Sequence, residues 1–368
     1  MRFIKNYTTK LTLVAGVLFA TVSACKKDDD RQPTKVSIDL PASVSLNYGK
    51  EADIALPADL LQRSGASFTL DFKGTDNIEI GNGSKLYDKL EKAVTINRST
   101  GKIHIDTRLL YPNGAVSSIS GTKIPEEYRI TVAISSKDEL LEGSQTLSLK
   151  VTPAKANVKG LDNTNEILHA YVLYSDKSTT FELEAPDLLT ETATWYLPAQ
   201  GNASSVASVN GNQLLFSATA GDPKQKAEQA YDLFPALQKD GFTVASRQFR
   251  VFFIPQIKFF YGTYYPEYNL TQITNLIHIA LANGYKSAAP TLYPEKYKST
   301  FSLVSIEKDG QVFDDKDKLF EVNGETGSVI VKPSPVLKEG KYKFIVKALT
   351  TTGLTFTTDF TLVMSAGS

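Results

Sequence analysis

The 368-residue chain has one cysteine, one tryptophan, two methionines and three histidines. A single cysteine excludes an internal disulfide, so each domain must be held by its own apolar core. His104, His169 and His278 lie far apart, each inside an alternating apolar and polar segment. They lack the short ligand spacing of a zinc site and read as strand side chains. Excess charge is also missing, with 40 Lys and Arg against 40 Asp and Glu. Without a concentrated basic patch, nothing points to nucleic acid. G-x-S-x-G elbows, phosphate loops and Gly-rich dinucleotide loops do not occur. The compact acidic run Asp314-Asp315-Lys316-Asp317 has a lysine at its centre, which suits a solvated loop better than the oxygen cage of calcium. Glu126 and Glu127 are neighbours on an expected strand, so they point to opposite faces and are not a glycosidase pair. These absences lead to an expectation of no enzyme activity, no cofactor and no metal.

The N-terminal residues carry an address. Arg2, Lys5 and Lys10 precede an apolar stretch over residues 11–20, and the segment has no acid. This is the order of a secretory signal, and the stretch falls short of the roughly 20 residues that span a bilayer. Val22-Ser23-Ala24-Cys25 follows and resembles a bacterial lipobox, where small residues fit the peptidase cleft and the thiol carries the lipid. The resemblance implies a signal peptide over 1–24, lipidation at Cys25 and a tether over 25–35. Several acyl chains, each methylene contributing about 0.8 kcal/mol, hold such a protein on a membrane. Lys26-Lys27-Asp28-Asp29 is similar to the export signal of Bacteroidota surface lipoproteins. That implies display on the outer membrane at the cell surface, with the lipid as the sole membrane contact.

The body of the chain repeats itself. Residues 94–105 read VTINRSTGKIHI and residues 320–331 read FEVNGETGSVIV. Asn97 aligns with Asn323, and Thr100-Gly101 with Thr326-Gly327. Each copy is an alternating strand, a polar turn closed by glycine and a second alternating strand, which predicts a β-hairpin. Downstream, Tyr128-Arg129-Ile130 matches Tyr342-Lys343-Phe344. The first copy has about a dozen extra residues, 109–123, which predict a surface loop able to carry binding. Between the copies, further alternating runs predict strands, and Asp222-Pro223 predicts a short helix over 224–237. The pattern of a strand ending V-N-x-x-T-G, then a strand, then G-x-Y and a strand, resembles the cadherin-like and immunoglobulin-like domains of bacterial surface proteins. The expected fold is mainly β, with tandem β-sandwiches over 36–153, 154–258 and 259–368 and one helical crossover in the middle domain.

Aromatic residues stand out within this frame. The segment KFFYGTYYPEYN, residues 258–269, holds six aromatics in twelve positions. Strand alternation separates Phe259 and Tyr261 from Phe260 and Tyr264. Phe259 and Phe260 fit a glued domain junction. Tyr261, Tyr264, Tyr265 and Tyr268, with Trp195, are the candidate rings for a sugar platform, because tyrosine pairs an apolar face with a polar tip. Tyr285, Tyr293 and Tyr297 form a looser second set. Together, the lipobox, export signal, serial domains and aromatics resemble the glycan-binding lipoproteins of Bacteroidota polysaccharide-uptake systems. That resemblance implies non-catalytic capture of a polysaccharide or oligosaccharide and partnership with an outer-membrane transporter. The alternative is a structural or adhesive surface protein that binds another protein and uses its sandwiches as spacers.

Overall fold

The structure is a computed structural model, and it describes residues 32–81, 83–175, 177–186, 188, 192–199, 203–220, 227–281 and 283–366. Cys25 and the export tetrapeptide Lys26 to Asp29 lie outside the described residues.

Three β-sandwich units follow one another, built on one plan. In the first, Leu141–Thr152 pairs antiparallel with Tyr128–Ser136 and parallel with Ser43–Asn47. The facing sheet sets Lys102–Asp106 between Glu51–Ala55 and Val94–Asn97. In the second, Phe249–Ile254 runs antiparallel to Gln229–Leu233 and parallel to Leu168–Leu173. Its facing sheet sets Gln213–Phe216 between Thr179–Glu184 and Ala207–Asn210. In the third, Thr355–Ser365 runs antiparallel to Gly340–Thr350 and parallel to Leu276–Ala280. Its facing sheet sets Val329–Val331 between Tyr285–Lys286 and Phe320–Val322. In every unit the last strand therefore lies parallel to an early one.

Period-two burial explains why these segments fold as sheets. Tyr128, Ile130, Val132 and Ile134 face the first core while the residues between them do not. The repeated asparagine closes its turn locally: Asn97 Oδ1 accepts from the Ser99 and Thr100 amides at 3.1 and 3.2 Å. Asn323 Oδ1 does the same for Glu325 and Thr326, at 3.0 and 2.8 Å. Glycine then takes a left-handed conformation, at φ +64° for Gly101 and +77° for Gly327.

A buried tyrosine at the start of one strand marks each unit. Tyr128 donates to the Tyr111 carbonyl at 2.6 Å, Tyr231 to that of Ala220 at 2.6 Å, and Tyr342 to that of Lys338 at 2.9 Å. This is the tyrosine-corner device of sandwich folds. The sequence repeat exposes two of the three; Ala230-Tyr231-Asp232-Leu233 is the third copy of the same x-Tyr-charged-apolar motif.

The helix expected over 224–237 does not form across its described part, where Gln229–Leu233 and Ala236–Lys239 are strands. Tyr231 and Leu233 alternate into the core, so period two overrides the helix-start signal, which itself lies outside the described residues. Lys239-Asp240-Gly241-Phe242 turns the chain, with φ of +52° at Asp240 and +81° at Gly241. Two consecutive positive φ angles are the tight hairpin geometry that favours Asp-Gly. The hairpin pairs Ala236–Lys239 with Phe242–Ser246 and also takes Ala193–Tyr196 as a third strand. An unpredicted helix, Leu86–Ala93, sits in the first unit with Leu86, Leu90 and Ala93 buried at helical spacing.

That hairpin belongs to the second unit but packs on the first. Leu237, Phe242, Val244 and Ala245 join the core of the first sandwich. The 109–123 insertion closes over them: the Ser118 amide donates to the Gly241 carbonyl at 2.9 Å, and Tyr111 packs against Phe242 with centroids 4.4 Å apart and planes tilted by 33°. Much of the insertion is thus domain seam. The second and third units meet through Ile254, Leu292, Tyr297, Phe301 and Ala348, with Tyr171, Phe252 and Phe259 against them.

Candidate functional site

The aromatic segment opens the third unit and is divided by its strands. Lys258–Phe260 pairs with Thr291–Tyr293, while Gly262–Tyr265 and Leu270–Ile273 form a separate two-stranded hairpin. Gly262 sits between the two at φ +142°, and a Cβ there would fall 2.0 Å from the Gln272 carbonyl oxygen. Glycine is the residue that permits both the conformation and the approach. The turn Pro266 to Asn269 closes with Asn269 at φ +49°, and the Tyr264 hydroxyl donates to Asn269 Oδ1 at 2.8 Å.

The five candidate rings go to four different places. Tyr261 is buried against Phe360 at 4.7 Å, and its hydroxyl donates to the Gly327 carbonyl at 2.7 Å. Burial pushes the ionisation of this phenol well above its ordinary value. Tyr261 is a core side chain and offers no ring to a ligand. Phe259, on the same strand face as Tyr261, stacks on Phe301 at 5.8 Å and packs against both the third core and the junction with the second unit. Trp195 packs against both the first and the second core, where Ala193–Tyr196 meets the docking hairpin. It is a half-buried seam residue.

Tyr264 and Tyr265 point to opposite faces of their hairpin, as neighbours on a strand must. Tyr264 meets Tyr293, a member of the second aromatic set, with ring centroids 4.9 Å apart and planes inclined at 58°. Lys258, directly across the ladder from Tyr293, places its ammonium 4.7 Å from the Tyr264 centroid. Below this pair lies an open cleft of about 310 Å³ lined by Tyr264, Pro290, Thr291, Tyr293, Glu295 and Lys298, among others. Tyr293 is 37% exposed, so it presents a ring while Tyr264 backs it. Pro290 is held in the cleft wall by Gly327, whose missing Cβ would stand 2.7 Å from the proline ring.

Tyr265 lies opposite Leu270 on the other face, and Tyr268 stands 77% exposed in the turn. Ile273, opposite Gly262 at the other end of the hairpin, is 62% exposed. The remaining members of the second set turn inward. Tyr285 stacks on Phe360 at 6.3 Å, and buried Tyr297 donates its hydroxyl to Glu228 across the junction.

A second cleft, about 210 Å³, opens on the seam between the first two units and is lined by Lys89, Tyr111, Ser117, Ser120 and Asp240, among others. Tyr111 there donates to Asp240 Oδ2 at 2.5 Å. Burial, then that carboxylate, raise its ionisation far above the usual phenol range. Tyr111 itself is 2% exposed, so its ring is not available for stacking.

The acidic and histidine candidates have structural partners. Asp315 accepts from the Leu319 and Phe320 amides at 2.9 and 2.8 Å, and Lys316 lies 3.8 Å from Asp314. Among the described residues no three His, Cys, Asp or Glu side chains group as a metal site. Glu127 accepts from Ser148 and Arg129, and Glu126 pairs with Lys123 at 2.6 Å. His104 pairs with Asp53 at 2.9 Å on an exposed sheet face.

No protein-family model matches the chain, and no curated protein matches it. Among solved structures, extracellular domains 3–5 of Drosophila OTK are similar over 91% of this chain and 96% of that one, at 11% identity and a TM-score of 0.31. The first three extracellular cadherin domains of Drosophila N-cadherin cover 88% of this chain and 98% of their own, at 12% identity and 0.27. An I-band fragment of titin covers 90% and 98%, at 13% identity and 0.26. The chain is a tandem array of immunoglobulin-like and cadherin-like β-sandwiches, carried by the strand ladders and tyrosine corners described above.

Proposed function

We propose that this protein is a lipid-anchored surface protein that binds polysaccharide without catalysis and aids its delivery to an outer-membrane transporter. The observation that carries the reading is the Tyr264–Tyr293 pair over an open cleft, with Glu295, Lys298, Thr291 and Asn269 around it. Sugar rings present C–H faces that stack on aromatic rings, and their hydroxyls need polar partners at the ring edge. Both kinds of group are present within one cleft. One exposed ring contributes on the order of 1 kcal/mol, so micromolar to millimolar binding is expected.

The test is affinity electrophoresis of the full chain, in mild detergent, through gels containing plant, fungal and host polysaccharides. One polymer should retard the protein, and Tyr293→Ala should remove the retardation while the fold persists by circular dichroism. Failure of every polymer would sink the reading. A protein partner is the second reading, favoured by exposed Leu270, Ile273 and Leu276 on and beside the same hairpin. In that case Tyr268→Ala and Ile273→Ser would abolish cell attachment and leave the gels unaffected.

A further inference from the structure

We infer that the saccharide taken by this cleft is anionic, a glycan bearing ring carboxylates or sulfates that Lys258 and Lys298 hold by charge. The inference rests on the glycan-binding reading of the same cleft and names its ligand class. Both lysines are half-buried, and each ammonium lies near an aromatic ring. The Lys258 ammonium stands over Tyr264 at 4.7 Å, and that of Lys298 stands 5.7 Å from the Phe301 ring. Neither has a carboxylate of any described residue within ion-pair distance, whereas the neighbouring Lys296 is paired to Glu228 at 2.9 Å. Of the residues lining the cleft, Glu295 supplies the negative charge and Lys298 a positive one; Lys258 across the ladder tips the balance to positive.

An aromatic ring satisfies a cation's field from one side only. A carboxylate or sulfate arriving from solvent would add a charge-assisted hydrogen bond on the open side without breaking the ring contact. Holding each ammonium near a ring beforehand lowers the ordering cost of binding. A neutral sugar would offer the ammonium groups only hydroxyl acceptors, which are weaker partners than a carboxylate or sulfate.

The full chain in mild detergent is run through gels of polygalacturonate, its fully methyl-esterified form, dextran sulfate, dextran, xylan and starch. Retardation by an acidic polymer is expected, at least about tenfold weaker for its neutral counterpart and weakened again from about 20 to 300 mM salt. The two acidic arms distinguish carboxylate from sulfate. Lys258→Gln with Lys298→Gln should remove the acidic preference, arginine at both positions should restore it, and Lys347→Gln, exposed elsewhere on the third unit, should change nothing. Thermal melts check that each variant is folded. A neutral polymer bound by wild type and by the lysine variants, but not by Tyr293→Ala, would overturn this inference and leave glycan binding standing. Acidic binding that ignores both lysines would overturn it too, and no binding to any polymer would remove both readings.

Discussion

At the residue scale, side chains with main-chain partners govern much of this molecule. Arg247 is 5% exposed, and its guanidinium donates to the Glu166 and Asn163 carbonyls at 3.3 and 3.0 Å and to Asn157 Oδ1 at 3.2 Å. It ties the entry loop of the second sandwich to its exit strand. Arg247→Met would strand three acceptors and is expected to cost about 2–4 kcal/mol, seen as a lower unfolding midpoint in urea. Nothing in the sequence around Arg247 announces this, because its partners are 81, 84 and 90 residues away. Tyr128 and Tyr342 were legible because a repeat aligned them. Tyr231 was equally legible in the Ala-Tyr-Asp-Leu motif, but the helix-start signal upstream masked it. For Tyr261 and Tyr264, alternation revealed two faces without saying which was the core. The contact that decides it, Tyr261 to the Gly327 carbonyl, spans 66 residues.

At the scale of elements, two hairpins do most to organise the chain. The hairpin Gly262–Tyr265 with Leu270–Ile273 holds Tyr264 against Tyr293, and Gly262 is the residue that lets it close. Gly262→Ala puts a methyl group against a main-chain carbonyl in a conformation that L-residues avoid. The expected cost is about 1–3 kcal/mol, confined to the hairpin. Amide exchange over 263–273 should quicken while Gly340–Thr350 keeps its protection, and the gel retardation proposed for the Tyr293 cleft should weaken. The docking hairpin was present in the sequence as Lys239-Asp240-Gly241, and the same triplet at Lys308-Asp309-Gly310 turns another hairpin with φ of +52° and +84°. Asp-Gly between alternating runs is a strong short-range hairpin signal. What it could not reveal is the destination of Phe242, because a hairpin's local pattern does not say whose core it enters. Phe242→Ala is expected to cost about 3–5 kcal/mol and loosen the first seam, read as added interdomain motion in solution scattering.

At the scale of the whole molecule, each seam combines an apolar cluster with a tyrosine–carboxylate hydrogen bond. The first has buried Leu237, Phe242, Val244 and Ala245 with Tyr111 donating to Asp240. The second has its apolar cluster with Glu228, which receives the Tyr297 hydroxyl and also the Lys296 ammonium. The Tyr297 hydrogen bond, then Lys296, hold the Glu228 carboxyl below its ordinary value of 4.5. A depressed carboxyl stabilises the folded junction fully above the unfolded value and loses that contribution as pH falls through the folded one. Acidification from about pH 6 to about pH 3 should therefore loosen the second junction. Exchange measured across 291–297 and 228–233 would show it, and Glu228→Gln should flatten the dependence. Repeats made the tandem sandwich plan readable from sequence, whereas seams join residues with no shared pattern and emerge only in three dimensions.

The parallel pairing of an early strand with the last one, present in all three units, also governs how the chain carries tension. Parallel terminal strands send the chain in at one pole and out at the other. A pull along the chain then loads the ladder hydrogen bonds sideways and all at once, where an antiparallel pair would yield bond by bond. A pull applied between the two ends of the chain would meet three such shear-loaded clamps in series, so the weakest unit sets the force at which the protein lengthens.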